Sequence, residues 1–129
     1  MRNYQAKNNN PYRLPHNLYM RMLYLIKDYE RLKEERKEIM YSSPVMDGMP
    51  RGNGIGTPTE NKGEALAAIE TEIRAIENAA LEIPEEYRGE IVRHIIRKEP
   101  YPYTAGEATW KRWQARLIYY TAKNLRYVN

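Results

Sequence analysis

Residues 57 to 83 read TPTENKGEALAAIETEIRAIENAALEI, and the apolar side chains in this stretch recur at helical spacing. The apolar positions alternate steps of three and four residues without a miss: Leu66, Ile69, Ile73, Ile76, Ala80 and Ile83. Such a stripe is the contact face of a coiled coil or of a helical hairpin. Thr57, Pro58 and Glu60 form a capping box with proline at the first helical position, so a helix is predicted over residues 58 to 82.

A second amphipathic helix is predicted earlier in the chain, over residues 15 to 41. Its apolar face carries Leu18, Leu25, Leu32 and Ile39 at intervals of seven residues. The helix ends before Pro44, because the residue that precedes a proline is pushed out of the α conformation. Residues 42 to 57 contain four glycines and two prolines and are predicted as a loop. We expect the two helices to form an antiparallel hairpin or to pair between two chains.

The last third of the chain is predicted to form two shorter helices, over residues 84 to 98 and 105 to 127. Pro84 followed by two glutamates marks the first start, and a Thr-Ala-Gly-Glu capping box marks the second. Tyr87, Ile91, Ile95 and Val92 are expected to pack inward from the first of these helices. The fold class is therefore all-α: a long helical hairpin followed by a C-terminal pair similar to a helix-turn-helix.

This interpretation divides the chain into three regions. Residues 1–14 are Asn-rich and punctuated by proline, and are predicted to form a flexible arm. Residues 15–83 form the helical hairpin with its Gly/Pro loop at 42–57, a region suited to homo-oligomerisation. Residues 84–129 form the helix-turn-helix-like region.

Composition narrows the classes of function. The chain of 129 residues has no cysteine and two well-separated histidines, His16 and His94. Thiolate zinc sites and a cysteine nucleophile are thereby excluded, and no Ser-His-Asp arrangement is visible. We therefore expect no enzyme, no cofactor and no metal. The mean hydropathy is −0.84, and no apolar run approaches the roughly 20 residues of a spanning helix, which predicts a cytoplasmic protein that contacts no membrane.

Positive charge is concentrated at the two ends of the chain. Residues 1–41 and residues 85–129 each carry nine Lys/Arg against five Asp/Glu, whereas residues 42–84 carry three against seven. From Ala105 onward the only acidic residue is Glu107. Concentrated positive charge favours an anionic partner, of which nucleic acid is the commonest.

The final predicted helix separates an apolar side from a basic side. Trp110, Trp113, Leu117, Ile118, Ala122 and Leu125 lie on the first, and Thr109, Arg112, Arg116, Tyr119, Lys123 and Arg126 form the second at helical spacing. Arg can bind two acceptors on a guanine edge, while Lys, Thr and Tyr mainly contact phosphates. The pattern predicts a recognition helix for double-stranded DNA, and an ordinary solvated basic face is the alternative.

The run IPEEYRGEIVRHIIRKEPYPYTAGEATWKRWQARLIYYTAKNL, preceded by MDGMPRGNG and LYMRMLYLIKDYERLKEE, resembles small phage-encoded transcriptional regulators of the RinA type. In that family a helical N-terminal region precedes an element similar to the helix-turn-helix of sigma factors. The resemblance implies that residues 84 to 127 bind DNA, with Thr109, Lys111, Arg112, Arg116 and Lys123 facing it. The connector of about eight residues is longer than the usual helix-turn-helix turn.

Two other functions are compatible with these features. One is a DNA-packaging adaptor of the small-terminase kind, which would form a ring of many subunits rather than a monomer or dimer. The other is a protein-only interaction module whose basic helix contacts an acidic partner or RNA polymerase, and which would show no DNA affinity at low salt.

Overall fold

The computed structural model describes residues 10–41 and 58–128, and the side chains of residues 58–61 lie outside that description. Its helices are α1 (His16–Lys27), α2 (Tyr29–Tyr41), α3 (Pro58–Leu81), α4 (Glu85–Arg97) and α5 (Glu107–Asn124). Residues 10–41 and 58–128 contain no strand, which confirms the all-α class. The predicted loop at 42–57, the Thr57 cap and the first nine residues lie outside the described residues.

The prediction of one continuous helix over residues 15 to 41 is wrong at Asp28. The Asp28 backbone has φ −84° and ψ 1°, and its N–H is shared between the carbonyls of Tyr24 and Leu25, each at 3.1 Å. This tightened turn separates two helices with different packing partners. α1 packs against α4 and α5, whereas α2 packs chiefly against α3. Heptad spacing could not reveal the break, because the apolar stripe runs through it unchanged.

α2 and α3 lie side by side and run in opposite directions. The Tyr29 hydroxyl donates to the Glu77 carboxylate at 2.6 Å, and Arg36 contacts Glu70 at 3.4 Å. Burial and the neighbouring Glu77 carboxylate raise the pKa of Tyr29 to about 12. The hydroxyl therefore stays protonated as a donor at neutral pH. Leu32 is the buried residue of α2. Because α2 has little apolar burial of its own, the two polar contacts help to fix how α2 and α3 align.

One hydrophobic core joins both predicted regions of the chain. It draws on α1 through Met22 and Ile26, on α3 through Ile73, and on α5 through Leu117 and Ile118, all of them almost fully buried. The inward residues predicted for α4 are also in place: Ile91 and Ile95 are buried, and Tyr87 and Val92 pack against the core. The most extensive contact between helices is that of α3 with α5. Residues 15–83 and 84–129 thus contribute to the same core.

Arg88 closes the C-terminal end of α3. Its Nε donates to the Ala80 carbonyl at 2.8 Å, and one Nη donates to the Ile83 carbonyl at 3.0 Å. The last carbonyls of a helix have no partner within the helix, so a cation placed there satisfies them and also complements the helix dipole. Arg88 thereby ties the start of α4 to the end of α3. Sequence analysis assigned no role to this residue.

Ile73→Asp is expected to unfold the protein. Ile73 is fully buried at the centre of α3, and an unpaired carboxylate there costs several kcal/mol, against total stabilities of about 5 to 15 kcal/mol. Thr71→Asp, at an exposed position of the same helix away from its ends, is the matched control and should leave the melting temperature nearly unchanged. Equal melting temperatures for the two variants in circular dichroism would contradict the burial of Ile73.

Arg88→Ala is expected to lower the free energy of unfolding by about 1 to 3 kcal/mol, because the carbonyls of Ala80 and Ile83 each lose their side-chain donor. Urea denaturation measures this loss. Arg88→Lys retains the charge but presents one compact donor group, so it should recover part of the stability. If the alanine and lysine variants are equally destabilised, neither the charge nor the aliphatic stem of Arg88 contributes, and the guanidinium hydrogen bonds account for the whole effect. An alanine variant as stable as wild type would contradict the prediction.

Candidate functional site

α5 is the central helix of the fold. It contacts α1, α3 and α4, and its buried face carries Trp110, Gln114, Ala115, Leu117, Ile118, Thr121 and Ala122. Both buried polar side chains have partners. The Tyr101 hydroxyl donates to Gln114 Oε1 at 2.6 Å, and the Thr121 hydroxyl donates to the Leu117 carbonyl at 2.8 Å. The buried face therefore fixes the position of α5. The residues on its opposite face are carried on a rigid backbone.

Trp110 organises the connector between α4 and α5. Its ring stacks on Tyr101 at a centroid distance of 4.9 Å and meets Tyr87 edge-on at 5.3 Å. The indole N–H donates to the Pro102 carbonyl at 3.1 Å, and His94 stacks on the other side of Tyr101 at 3.9 Å. Burial raises the pKa of the Tyr101 hydroxyl, which keeps it protonated and able to donate. These contacts fix the long connector that the sequence predicted between the two helices.

Four of the predicted DNA-binding residues share one face of α5, which we call the basic strip: Arg112, Arg116, Tyr119 and Lys123. At 100° per residue these positions fall within a sector of about 60°, opposite the buried face. Arg112 and Lys123 are exposed, and Arg116 and Tyr119 are half-buried. Thr109 lies at the margin of the same face. The strip extends about 17 Å along the helix axis.

The structure does not bring Lys111 and Arg126 into this strip. Lys111 lies about a third of a turn away, near the buried face, and its ammonium group is 2.8 Å from Glu107 one turn earlier. Arg126 lies beyond α5, which ends at Asn124 rather than at the predicted residue 127. The end is a Schellman motif: Arg126 has φ 65°, and the Tyr127 N–H bonds to the Ala122 carbonyl at 2.9 Å.

The cations of the basic strip have no acidic partner within residues 10–41 and 58–128. Several cations elsewhere in the same ranges are paired with acidic side chains. Arg31 contacts Asp28 and Glu35, and Arg97 contacts Glu30 at 2.9 Å. On the other helices Arg36 pairs with Glu70, and Arg93 pairs with Glu90. The positive charge of the strip is thus not compensated within the described residues.

The segment that precedes α1 packs against the basic strip. Leu14, which the sequence interpretation placed in a flexible arm, is 1% exposed and belongs to the core. The Tyr12 ring meets Tyr119 edge-on at 5.3 Å and lies 4.4 Å from the Arg116 guanidinium. Sequence analysis missed Tyr12, because nothing local to the Asn-rich segment indicates that it reaches a helix one hundred residues away.

Across protein-family models, curated proteins and solved structures, nothing matches this chain.

Two absences concern the described ranges, residues 10–41 and 58–128. No three His, Asp or Glu side chains in these ranges come together as a candidate metal site. None of their helices has the length and apolarity needed to cross a membrane.

Trp110 and Trp113, both expected to anchor the core, differ in burial. Trp110 is 1% exposed, whereas Trp113 is half-buried and stacks on Tyr87 at 6.1 Å. Trp110→Ala is therefore expected to destabilise the protein by about 3 to 5 kcal/mol, and Trp113→Ala by less. Urea denaturation of both variants measures the difference. Trp110→Phe, which keeps most of the ring but loses the indole N–H, should fall between wild type and Trp110→Ala. Equal losses for the two alanine variants would contradict this ranking.

Proposed function

We propose that this protein binds double-stranded DNA through the basic strip of α5 and acts as a transcriptional regulator. The observation that carries the proposal is the uncompensated charge of Arg112, Arg116 and Lys123, three cations on one face of a rigid helix. DNA carries about one negative charge per 1.7 Å of helix axis, and releasing its counterions drives the binding of such a surface. A strip of about 17 Å can face several phosphates at once.

The contrast with the rest of the surface supports a binding role over an ordinary solvated face. α2 and α4 also carry cations, and several of these are paired: Arg36 with Glu70, Arg93 with Glu90, and Arg97 with Glu30. Exposed ion pairs of this kind contribute little to stability and leave little net charge. The basic strip has the opposite arrangement, since α5 carries a single acidic residue, Glu107, and it contacts Lys111 outside the strip.

Phosphate contact is the primary role assigned to the strip, because α5 is embedded in the fold. α1, α3 and α4 pack around it, which leaves a narrow face rather than a protruding helix. A narrow face of this kind would lie along the sugar-phosphate backbone of DNA, with its cations spaced by the helix. The planar Arg112 and Arg116 groups can in addition bind guanine edges where a groove brings them within reach. Arg126, which is exposed just beyond the end of α5, would add charge at that end.

The regulatory role rests on the resemblance of the sequence to phage regulators of the RinA type. A regulator requires preferred sites, whereas a surface that binds only phosphates has none. Selection of bound fragments from genomic DNA tests this directly. Recovery of a common sequence supports a regulator, and recovery of random fragments would reduce the proposal to non-specific DNA binding.

Replacing Arg112 and Lys123 together by alanine is expected to weaken DNA binding without changing the fold, because both side chains are exposed. Loss of two phosphate contacts should reduce the slope of log affinity against log salt by about two. Fluorescence anisotropy with a labelled duplex over a series of salt concentrations measures both quantities.

The matched control replaces Lys27 and Lys37, exposed cations of α1 and α2, by alanine. It makes the same change in net charge away from the strip. If the control lowers affinity and salt slope as much as the double variant on α5, the strip is not the binding surface. If wild type shows no affinity for DNA at low salt, the protein-only alternative replaces the proposal.

A further inference from the structure

The Arg116 guanidinium lies against two aromatic rings from distant parts of the chain. Its central carbon is 4.4 Å from the centroid of Tyr12 and 4.9 Å from that of Trp113. Contacts of this geometry are attractive because the face of an aromatic ring is electron-rich. Trp113 is fixed in turn by stacking on Tyr87, and Tyr12 by edge contacts with Tyr119 and Tyr120. The guanidinium is therefore held against both rings.

The edge of the same guanidinium remains available. Neither a hydrogen bond nor an ion pair joins Arg116 to another residue of 10–41 or 58–128. A guanidinium carries five N–H donors in one plane, in a fork that matches two oxygens of a phosphate or the two acceptors on a guanine edge. The contacts with the two rings use none of these donors in a hydrogen bond. Arg116 is thus an oriented donor group that lacks an acceptor in the described parts of the chain.

The segment that carries Tyr12 is itself anchored. The Asn10 side chain accepts a hydrogen bond from the Tyr12 N–H at 2.7 Å, and the Asn10 carbonyl accepts one from the Arg13 N–H at 3.1 Å. Asn followed by proline favours such a turn, because the Asn side chain substitutes for a backbone acceptor. Two residues later Leu14 enters the core with 1% exposure. The Tyr12 ring is thereby held against α5 by the fold.

We propose that Tyr12 is a positioning residue of the DNA interface, which together with Trp113 orients the Arg116 guanidinium toward a phosphate of the DNA backbone. The inference rests on the proposed function. A free arginine side chain loses rotamer freedom when it binds, and this loss weakens binding. Contact with Tyr12 and Trp113 already restricts the Arg116 rotamer in the folded protein, so less rotamer freedom is lost when DNA binds. Tyr12 acts through Arg116 and needs no contact with DNA of its own.

The Tyr12 hydroxyl serves a different purpose from the ring. It hydrogen-bonds with the hydroxyl of Tyr120, whose pKa is raised first by burial and then by this bond. The stacking on Arg116 requires only the ring. Phenylalanine at position 12 therefore keeps the positioning contact, and alanine removes it, which makes the two substitutions a matched pair.

Tyr12→Ala is expected to weaken binding to a short labelled duplex of mixed sequence by about fivefold at low salt, while Tyr12→Phe stays close to wild type. The salt slope should not change in either variant, because the number of cations is unaltered. Arg116→Ala, in contrast, should reduce the slope by about one. In the Arg116→Ala background, Tyr12→Ala should weaken binding by less than about twofold, since its effect passes through Arg116.

Circular dichroism and thermal melting of each variant confirm that binding is compared between folded proteins. Unchanged or tighter binding by folded Tyr12→Ala overturns the proposal, and tighter binding shows that the ring shields the strip. The proposal is also overturned if Tyr12→Ala lowers DNA affinity by the same factor in the wild-type and Arg116→Ala backgrounds. If Arg112 and Lys123 prove necessary while Tyr12 does not, the proposed function stands and the positioning role fails. If wild type does not bind the duplex, both fail.

Discussion

The fold depends most on the packing of α5, and within α5 on Trp110. This ring contacts α4 through Tyr87, contacts the connector through Tyr101, and donates its indole N–H to the Pro102 carbonyl. A large aromatic ring contributes much of the apolar burial in a small core, and its single polar atom must find an acceptor when buried. The Pro102 carbonyl provides that acceptor. The same residue therefore closes the core and fixes the connector, so the relation of α4 to α5 follows from one side chain and its neighbours.

The central position of α5 determines what its remaining face can do. A helix held by three others does not reorient easily, because the interior around it is close-packed. The backbone positions that carry its exposed side chains therefore keep a constant spacing, which the proposed contact with the phosphates of DNA would use. The same burial limits how far the helix can enter a groove. Rigid placement and a shallow profile both follow from the residues on the opposite face, Leu117, Ile118 and Thr121 among them.

Sequence patterns predicted the helices and most of the core, because apolar spacing reports directly on which face of a helix is buried. Ile69, Ile73, Ile76 and Ile83 lie in the core, as the three-four spacing indicated. Sequence patterns did not predict features that depend on contacts between residues far apart in the chain. The break at Asp28 follows from the different packing partners of α1 and α2, and the contact of Tyr12 with Arg116 joins residues far apart in sequence. Helical periodicity likewise gathered Arg112, Arg116, Tyr119 and Lys123 on one face but wrongly extended that face to Arg126, because the Schellman motif ends α5 first.

The acidic middle of the chain explains why net charge alone says little about the surface. α3 supplies Glu70 and Glu77, which contact Arg36 and Tyr29 of α2, so Arg36 of the basic first region is paired across the two helices. Glu30 in turn pairs with Arg97 of α4, and this contact holds the pKa of the Glu30 carboxyl below its ordinary value. Ion pairing in the folded chain therefore compensates some of the cations that the sequence places at its two ends. It leaves Arg112, Arg116 and Lys123 as a basic surface because the one acidic residue of α5, Glu107, lies beside Lys111 instead.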